Sequence, residues 1–213
     1  MITRRAVLLG AAALVSACTA SGSDREAPRA SSSGSAAASG PVLVAYFSRA
    51  GENYYYGGRR NLTVGNTQVV ADLISGFVDC DVHRIEAEDP YPSAYDPTVA
   101  RNVREQNADA RPAIANPLTS IEKYRTVLLG SPIWNIRAPM IMTTFTEGLD
   151  FTGKTVHPFT THAMSGLGNT ERDYAASCRG ATLGEGLAVQ GEKAAEGGPD
   201  IEAWLRRIAL LPG

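Results

Sequence analysis

The stretch Val42-Leu43-Val44-Ala45-Tyr46-Phe47-Ser48-Arg49-Ala50-Gly51 decides the fold of this 213-residue chain. Six apolar residues run without a polar interruption and then stop at a hydroxyl, a base and a glycine. A strand with one wet face alternates apolar and polar residues, whereas an unbroken run is buried on both faces, as in parallel sheets. Parallel strands need a crossover between them. One follows: Val69, Val70, Leu73, Ile74 and Phe77 recur at spacings of three and four, which predicts a helix over residues 66–77.

The same alternation continues outward. Residues 82–85 predict a short strand, Asp89-Pro90-Tyr91-Pro92 a break, and residues 98–108 a polar helix. Thr126-Val127-Leu128-Leu129-Gly130 is the next buried strand, and residues 139–147 form a helix with proline in its first turn. A fourth strand is expected over 155–161, a helix over 170–178 and a short fifth strand over 187–189. Residues 201–210 close the chain as a helix with Trp204, Leu205 and Ile208 on one face. Five strands alternating with five helices predict an α/β doubly wound sheet. Ligands of such sheets bind beyond the carboxyl ends of the strands, which points to the loops after Phe47, Gly130 and Thr161.

A 44% hydrophobic, 20% charged composition supports an ordinary core. The balance of 20 basic against 22 acidic residues argues against an electrostatic nucleic-acid binder. Three cysteines build no disulfide framework, and three histidines leave little for a metal cage. Cys80 and Cys178 could pair in an oxidising compartment, but they lie in separate elements and read rather as two free buried thiols.

The first forty residues are of another kind. Arg4 and Arg5 precede an uncharged run over residues 6–17, which is too short for a membrane span but suits the core of a signal peptide. Thr3-Arg4-Arg5-Ala6-Val7-Leu8 resembles a twin-arginine export signal. Val15-Ser16-Ala17-Cys18 resembles a bacterial lipobox, which implies cleavage before Cys18 and lipidation of its thiol; ordinary cleavage nearby would instead release a soluble secreted protein. Residues 18–40 are rich in Ala, Ser and Gly and read as a flexible tether, leaving residues 41–213 as one mildly acidic folded domain.

Each strand-end loop has a chemical and a plainer reading. After the first strand, Ser48-Arg49 and then Gly65-Asn66-Thr67 offer hydroxyls, free N–H groups and a helix dipole suited to an anion. The plainer reading makes Asn66 an N-cap and Gly65 a turn residue. After the third strand, Pro132-Ile133-Trp134-Asn135 sets an aromatic between prolines, either exposed for stacking on a flat ring or half-buried over the sheet end. After the fourth, Thr161-His162-Ala163-Met164-Ser165-Gly166 offers hydroxyls and flexible backbone, or is a simple glycine-rich connection.

Together Tyr46-Phe47-Ser48-Arg49, Gly65-Asn66-Thr67, Gly130-Ser131-Pro132-Ile133-Trp134 and the 161–168 loop resemble the flavodoxin-like family of FMN-binding proteins. Tyr91-Pro92 followed by Tyr95-Asp96 is similar to a segment of one flavodoxin branch. The resemblance implies a three-layer fold with a five-stranded parallel sheet in order 2-1-3-4-5 and flavin at the switch between strands 1 and 3. It implies that Ser48, Arg49, Gly65, Asn66 and Thr67 hold the FMN phosphate. Pro132, Ile133, Trp134 and Asn135 would flank the ring and ribityl chain, and Thr161, His162, Ser165 and Gly166 would approach the pyrimidine side.

FMN itself supplies redox chemistry, so no catalytic base is required. The implied role is an electron carrier or a small-molecule, quinone-type reductase, with an unidentified redox partner. Gly166-Leu167-Gly168 lacks the third glycine of a dinucleotide fingerprint, which leaves transient NAD(P)H as donor open. A departure from the family pattern is the insertion over residues 52–64, with Tyr54-Tyr55-Tyr56 and Arg59-Arg60; it reads either as a lid over the flavin edge or as a solvated loop. Two other classes compete. One is a flavin-free binding or scaffold lipoprotein on the same fold. The other, an α/β hydrolase using Ser165, lacks the first glycine of the nucleophile elbow and any histidine after His162.

Overall fold

The computed structural model describes residues 40–212. The export signal, Cys18 and the tether, apart from its last residue Gly40, lie outside the described residues. In chain order the elements begin with β1 (Val42–Phe47), β2 (Gly51–Tyr55), β3 (Gly58–Leu62) and α1 (Asn66–Phe77). Next come β4 (Asp81–Ile85), α2 (Tyr95–Asn107), β5 (Thr126–Pro132), α3 (Met140–Glu147) and β6 (Thr155–His162). The chain ends with α4 (Thr170–Ser177), β7 (Thr182–Leu183), β8 (Leu187–Gln190), a 3-10 turn (Gly191–Glu196) and α5 (Gly198–Arg207).

The apolar run of β1 is buried along its whole length and lies inside the sheet, paired in parallel with β4 on one side and β5 on the other. β6 follows β5, and the last position is shared by β7 at the start of β6 and β8 at its end. With β7 and β8 counted as one edge position, this is the expected 2-1-3-4-5 order, in six strands rather than five. The break between them has a physical cause. The Glu185 carbonyl leaves the ladder, accepting from Trp204 Nε1–H at 3.1 Å and lying 3.0 Å from His157 Nδ1, so two buried ring nitrogens gain a partner.

Alternate residues of β1 feed two cores, as the pleat of a strand covered on both faces requires. Leu43, Ala45 and Phe47 pack with Ile141, Met142 and Phe145 of α3 and Tyr174 of α4. Val42, Val44 and Tyr46 pack with Val70, Ala71 and Ile74 of α1 and Ile201, Trp204 and Leu205 of α5. In the middle of the sheet, Gly130 of β5 lies against Phe159 of β6, whose ring fills the space a Cβ at 130 would take.

Three expectations are corrected. α2 starts at Tyr95 rather than residue 98, because Pro97 falls in its first turn, where a missing N–H costs nothing. Most of residues 52–64 are not a solvated loop but belong to the antiparallel hairpin β2–β3, which ends at Leu62. Its turn, Tyr56-Gly57, puts both residues at positive φ (47° and 81°), as a two-residue hairpin turn demands. Both cysteines are free, but only Cys178 is buried; Cys80 is half-buried. Among the described residues no helix is long and apolar enough to cross a membrane.

Candidate functional site

β1, β5 and β6 all end at one edge of the sheet, and α1 begins there. Gly65 is the N-cap of α1 and offers no side chain, so Asn66 is the first helical residue and not the cap. Ser48 takes over the capping: its Oγ accepts from the Gln68 N–H at 3.0 Å. A Cβ at Gly65 would collide with that Oγ and with the Arg49 backbone, which is why a glycine stands here. Helix geometry leaves the Asn66 and Thr67 N–H groups without intrahelical acceptors, at the positive end of the dipole. The Thr67 and Thr161 hydroxyls lie 2.7 Å apart and buried, so Thr161 sits beside the start of α1.

A cavity of about 510 Å³ opens over this edge. Ser48, Arg49, Asn66, Thr67, Pro132, Ile133, Trp134, Asn135, Thr161, His162 and Ser165 all line it. Gly65 and Gly166 do not: Gly65 lies beneath the Ser48 loop, and Gly166, at φ 56°, offers its carbonyl to the Thr160 hydroxyl at 3.0 Å.

Two side chains of the cavity have contacts that spacing along the chain does not fix. The Arg49 guanidinium donates to the carbonyls of Pro92 and Ser93, each at 3.0 Å, and to that of Glu52, while its Nε is buried without a partner. It braces the hairpin against the start of α2. Burial lowers its pKa from the usual arginine range, with Glu52 opposing. Trp134 is half-buried, the second of the two placements open to it in the sequence. It packs edge-on against Phe47, with ring centroids 5.7 Å apart, and against Tyr91 at 5.2 Å, and so walls the cavity by covering the core.

The turn after Trp134 is strained. Asn135 and Ile136 both have positive φ, 49° and 65°, which is costly for a β-branched residue. Gln106 of α2 holds the turn: its Nε2 donates to the Trp134 carbonyl at 3.1 Å and to Asn102 Oδ1 at 3.2 Å, and its Oε1 accepts from Asn135 Nδ2 at 3.2 Å. From the other side the Asn169 N–H donates to the Ile136 carbonyl at 2.7 Å. Burial lowers the His162 pKa from the usual histidine range, against a weaker opposing pull from Glu192.

Sequence reasoning missed one whole wall. Tyr95, Thr98, Val99, Asn102 and Val103 of α2 line the cavity, as do Asn53 and Tyr54 of the hairpin and Glu192 beyond β8. The signal was present in α2: Val99 and Val103 stand four apart on a helix that is otherwise polar. Both are partly exposed, and with Ile136 and Met164 they form an apolar rim. The site thus has a polar end of hydroxyls and N–H groups at α1 and a more apolar end between α2 and the 133–136 turn. Ser165 sits in a loop clear of both β6 and α4, so no strand-to-helix nucleophile elbow is present at it.

A family profile described as flavodoxin matches residues 41–208. A candidate flavoprotein from Bacteroides eggerthii is 31% identical, with a TM-score of 0.63, over 80% of this chain and 98% of that one. A second, from Bacteroides uniformis, is 30% identical with a TM-score of 0.62, over 78% and 98%. A flavoprotein from Lactobacillus acidophilus, solved in complex with FMN, shares the fold at 14% identity, with a TM-score of 0.53 over 78% and 98%. No curated protein matches the chain.

Proposed function

Because this chain belongs to the flavodoxin family, we propose that it binds FMN and transfers electrons through it, as a carrier or as a small-molecule reductase. One observation carries the reading: the cavity at the strand ends has hydroxyls and N–H groups at the α1 N-terminus and apolar side chains at its other end, as a phosphorylated flavin requires. The unpaired N–H groups of Asn66 and Thr67, with the Ser48 hydroxyl, would hold the phosphate, in a role that needs no free cation. Trp134, Ile133 and the valines of α2 would flank the ring and exclude water. His162, which lines the cavity, would donate or accept one hydrogen bond at the flavin or its acceptor. When bound, FMN supplies the electron chemistry.

The visible absorption spectrum of the full chain, after FMN is added and the excess removed, tests this. A retained flavin spectrum that weakens by about tenfold or more in affinity in Thr67→Ala supports the reading. A folded protein that stays colourless sinks it and leaves the flavin-free binding protein. We also propose that the domain is exported and lipid-anchored at Cys18, on the strength of the twin-arginine and lipobox patterns in the sequence. Cys18→Ala would then change both mature mass and membrane fractionation.

A further inference from the structure

We propose that the β2–β3 hairpin and Glu192 form a clasp that restricts the site to flavin mononucleotides and excludes flavins with a dinucleotide tail; this rests on the flavin reading above. The hairpin rises directly from the loop joining β1 to α1, at the polar end of the cavity. Its base is fixed on the α2 side. The Glu52 N–H donates to the Ser93 carbonyl at 2.7 Å, and Glu52 Oε2 accepts from the Tyr95 N–H at 2.9 Å. Arg59 pairs with both oxygens of Asp96, at 2.9 and 2.5 Å, and lies 4.6 Å over the Tyr95 ring.

Its tip is fixed on the opposite side. The Tyr56 N–H donates to Glu192 Oε1 at 2.9 Å, and the Tyr55 hydroxyl to the Glu192 carbonyl at 3.4 Å. Gly191, next in the chain to Glu192, packs against the side-chain amide of Asn66. Ser48, hairpin, Glu192, Gly191 and the first residues of α1 therefore close a ring around the place where a phosphate would lie. A terminal phosphate ends inside that ring. A tail continuing beyond the phosphate has to pass through it.

Charge acts in the same direction. Of the nearby arginines, Arg59 pairs with Asp96, Arg60 lies 5.0 Å over the Tyr55 ring, and Arg49 turns its guanidinium to the carbonyls of Pro92 and Ser93. A second phosphate passing the clasp would meet the Glu192 carboxylate, which lines the cavity.

The test is flavin titration of the full chain, read by fluorescence quenching, with FMN and FAD as probes. The native chain should bind FMN at least about a hundredfold more tightly than FAD. Glu192→Ala, which opens the clasp, should narrow that ratio by about tenfold or more, and so should replacement of residues 53–61 by Gly-Gly. Glu192→Gln removes the charge but keeps an acceptor for the Tyr56 N–H, and should hold the ratio within about threefold. A native chain that binds both flavins equally overturns the clasp, as does an unchanged ratio in Glu192→Ala. Should Glu192→Gln narrow the ratio as far as Glu192→Ala, charge and not closure sets the selectivity, and the clasp is likewise overturned. Failure of FMN itself to bind is a separate outcome, and removes the flavin reading along with it. If the shortened hairpin does not fold, Glu192→Ala decides alone.

Discussion

α1 and α2 are nearly equal in length, yet they distribute their residues in opposite ways. α1 buries Val70, Ala71 and Ile74 against the sheet. α2 buries only the polar Thr98 and Asn102, while Val99 and Val103 stay 41% and 40% exposed. The buried polar groups of α2 are satisfied: Thr98 Oγ1 lies within hydrogen-bonding distance of the Pro92 carbonyl (2.8 Å) and the Ala94 carbonyl (2.9 Å), and Asn102 pairs with Gln106. A helix packs its apolar stripe against whatever lies beside it. For α1 that is the sheet, and for α2 it is a cavity. Apolar side chains on a stable helix are therefore no guarantee of a core, and in α2 they mark a binding wall.

The widest test of this contrast is truncation in α1. Ile74→Ala should cost about 2–5 kcal/mol of stability, measured by denaturant unfolding, because Ile74 is fully buried. A cost under about 1 kcal/mol would break the comparison, since α1 would then resemble α2. A smaller effect of opposite sign is expected at the turn that α2 holds. Ile136→Gly should raise the thermal midpoint, releasing about 1 kcal/mol of backbone strain. No gain there would mean that contacts of the Ile136 side chain offset the strain. The smallest effect belongs to α2 itself. Val103→Ala should leave stability within about 0.5 kcal/mol of native in the absence of ligand. A loss comparable to that of Ile74→Ala would make α2 a core helix after all.

β1 and α1 were readable to the residue, because an unbroken apolar run and a three-and-four spacing are direct records of burial. The hairpin was not. Along β2 and β3 every residue is partly or fully exposed, so neither face carries an apolar row to announce a strand. Its turn also has tyrosine where asparagine or aspartate would signal a hairpin. β7 has only two residues, too few for any period to register. In the site, the residues with an identifiable ligand chemistry were found, namely Ser48, Asn66, Thr67 and His162. The contacts that hold Arg49 were not legible, since no spacing along the chain shows that a guanidinium donates to carbonyls 43 and 44 residues away. Glu192 escaped because it reaches the site only through the packing of the 3-10 turn on α1.

The contact between Gly130 and Phe159 bears on which substitutions a lineage of such chains could accept. Gly130 falls within one of the segments that mark the family, and is easily taken for part of the chemistry. It is instead the missing half of a side-chain pair, with the Phe159 ring occupying the volume of both. Neither position can drift alone: a methyl group at 130 demands a smaller residue at 159, and a smaller residue at 159 leaves a hole that 130 would have to fill. The two should covary as a couple, with single changes at either position purged and the compensated double change tolerated.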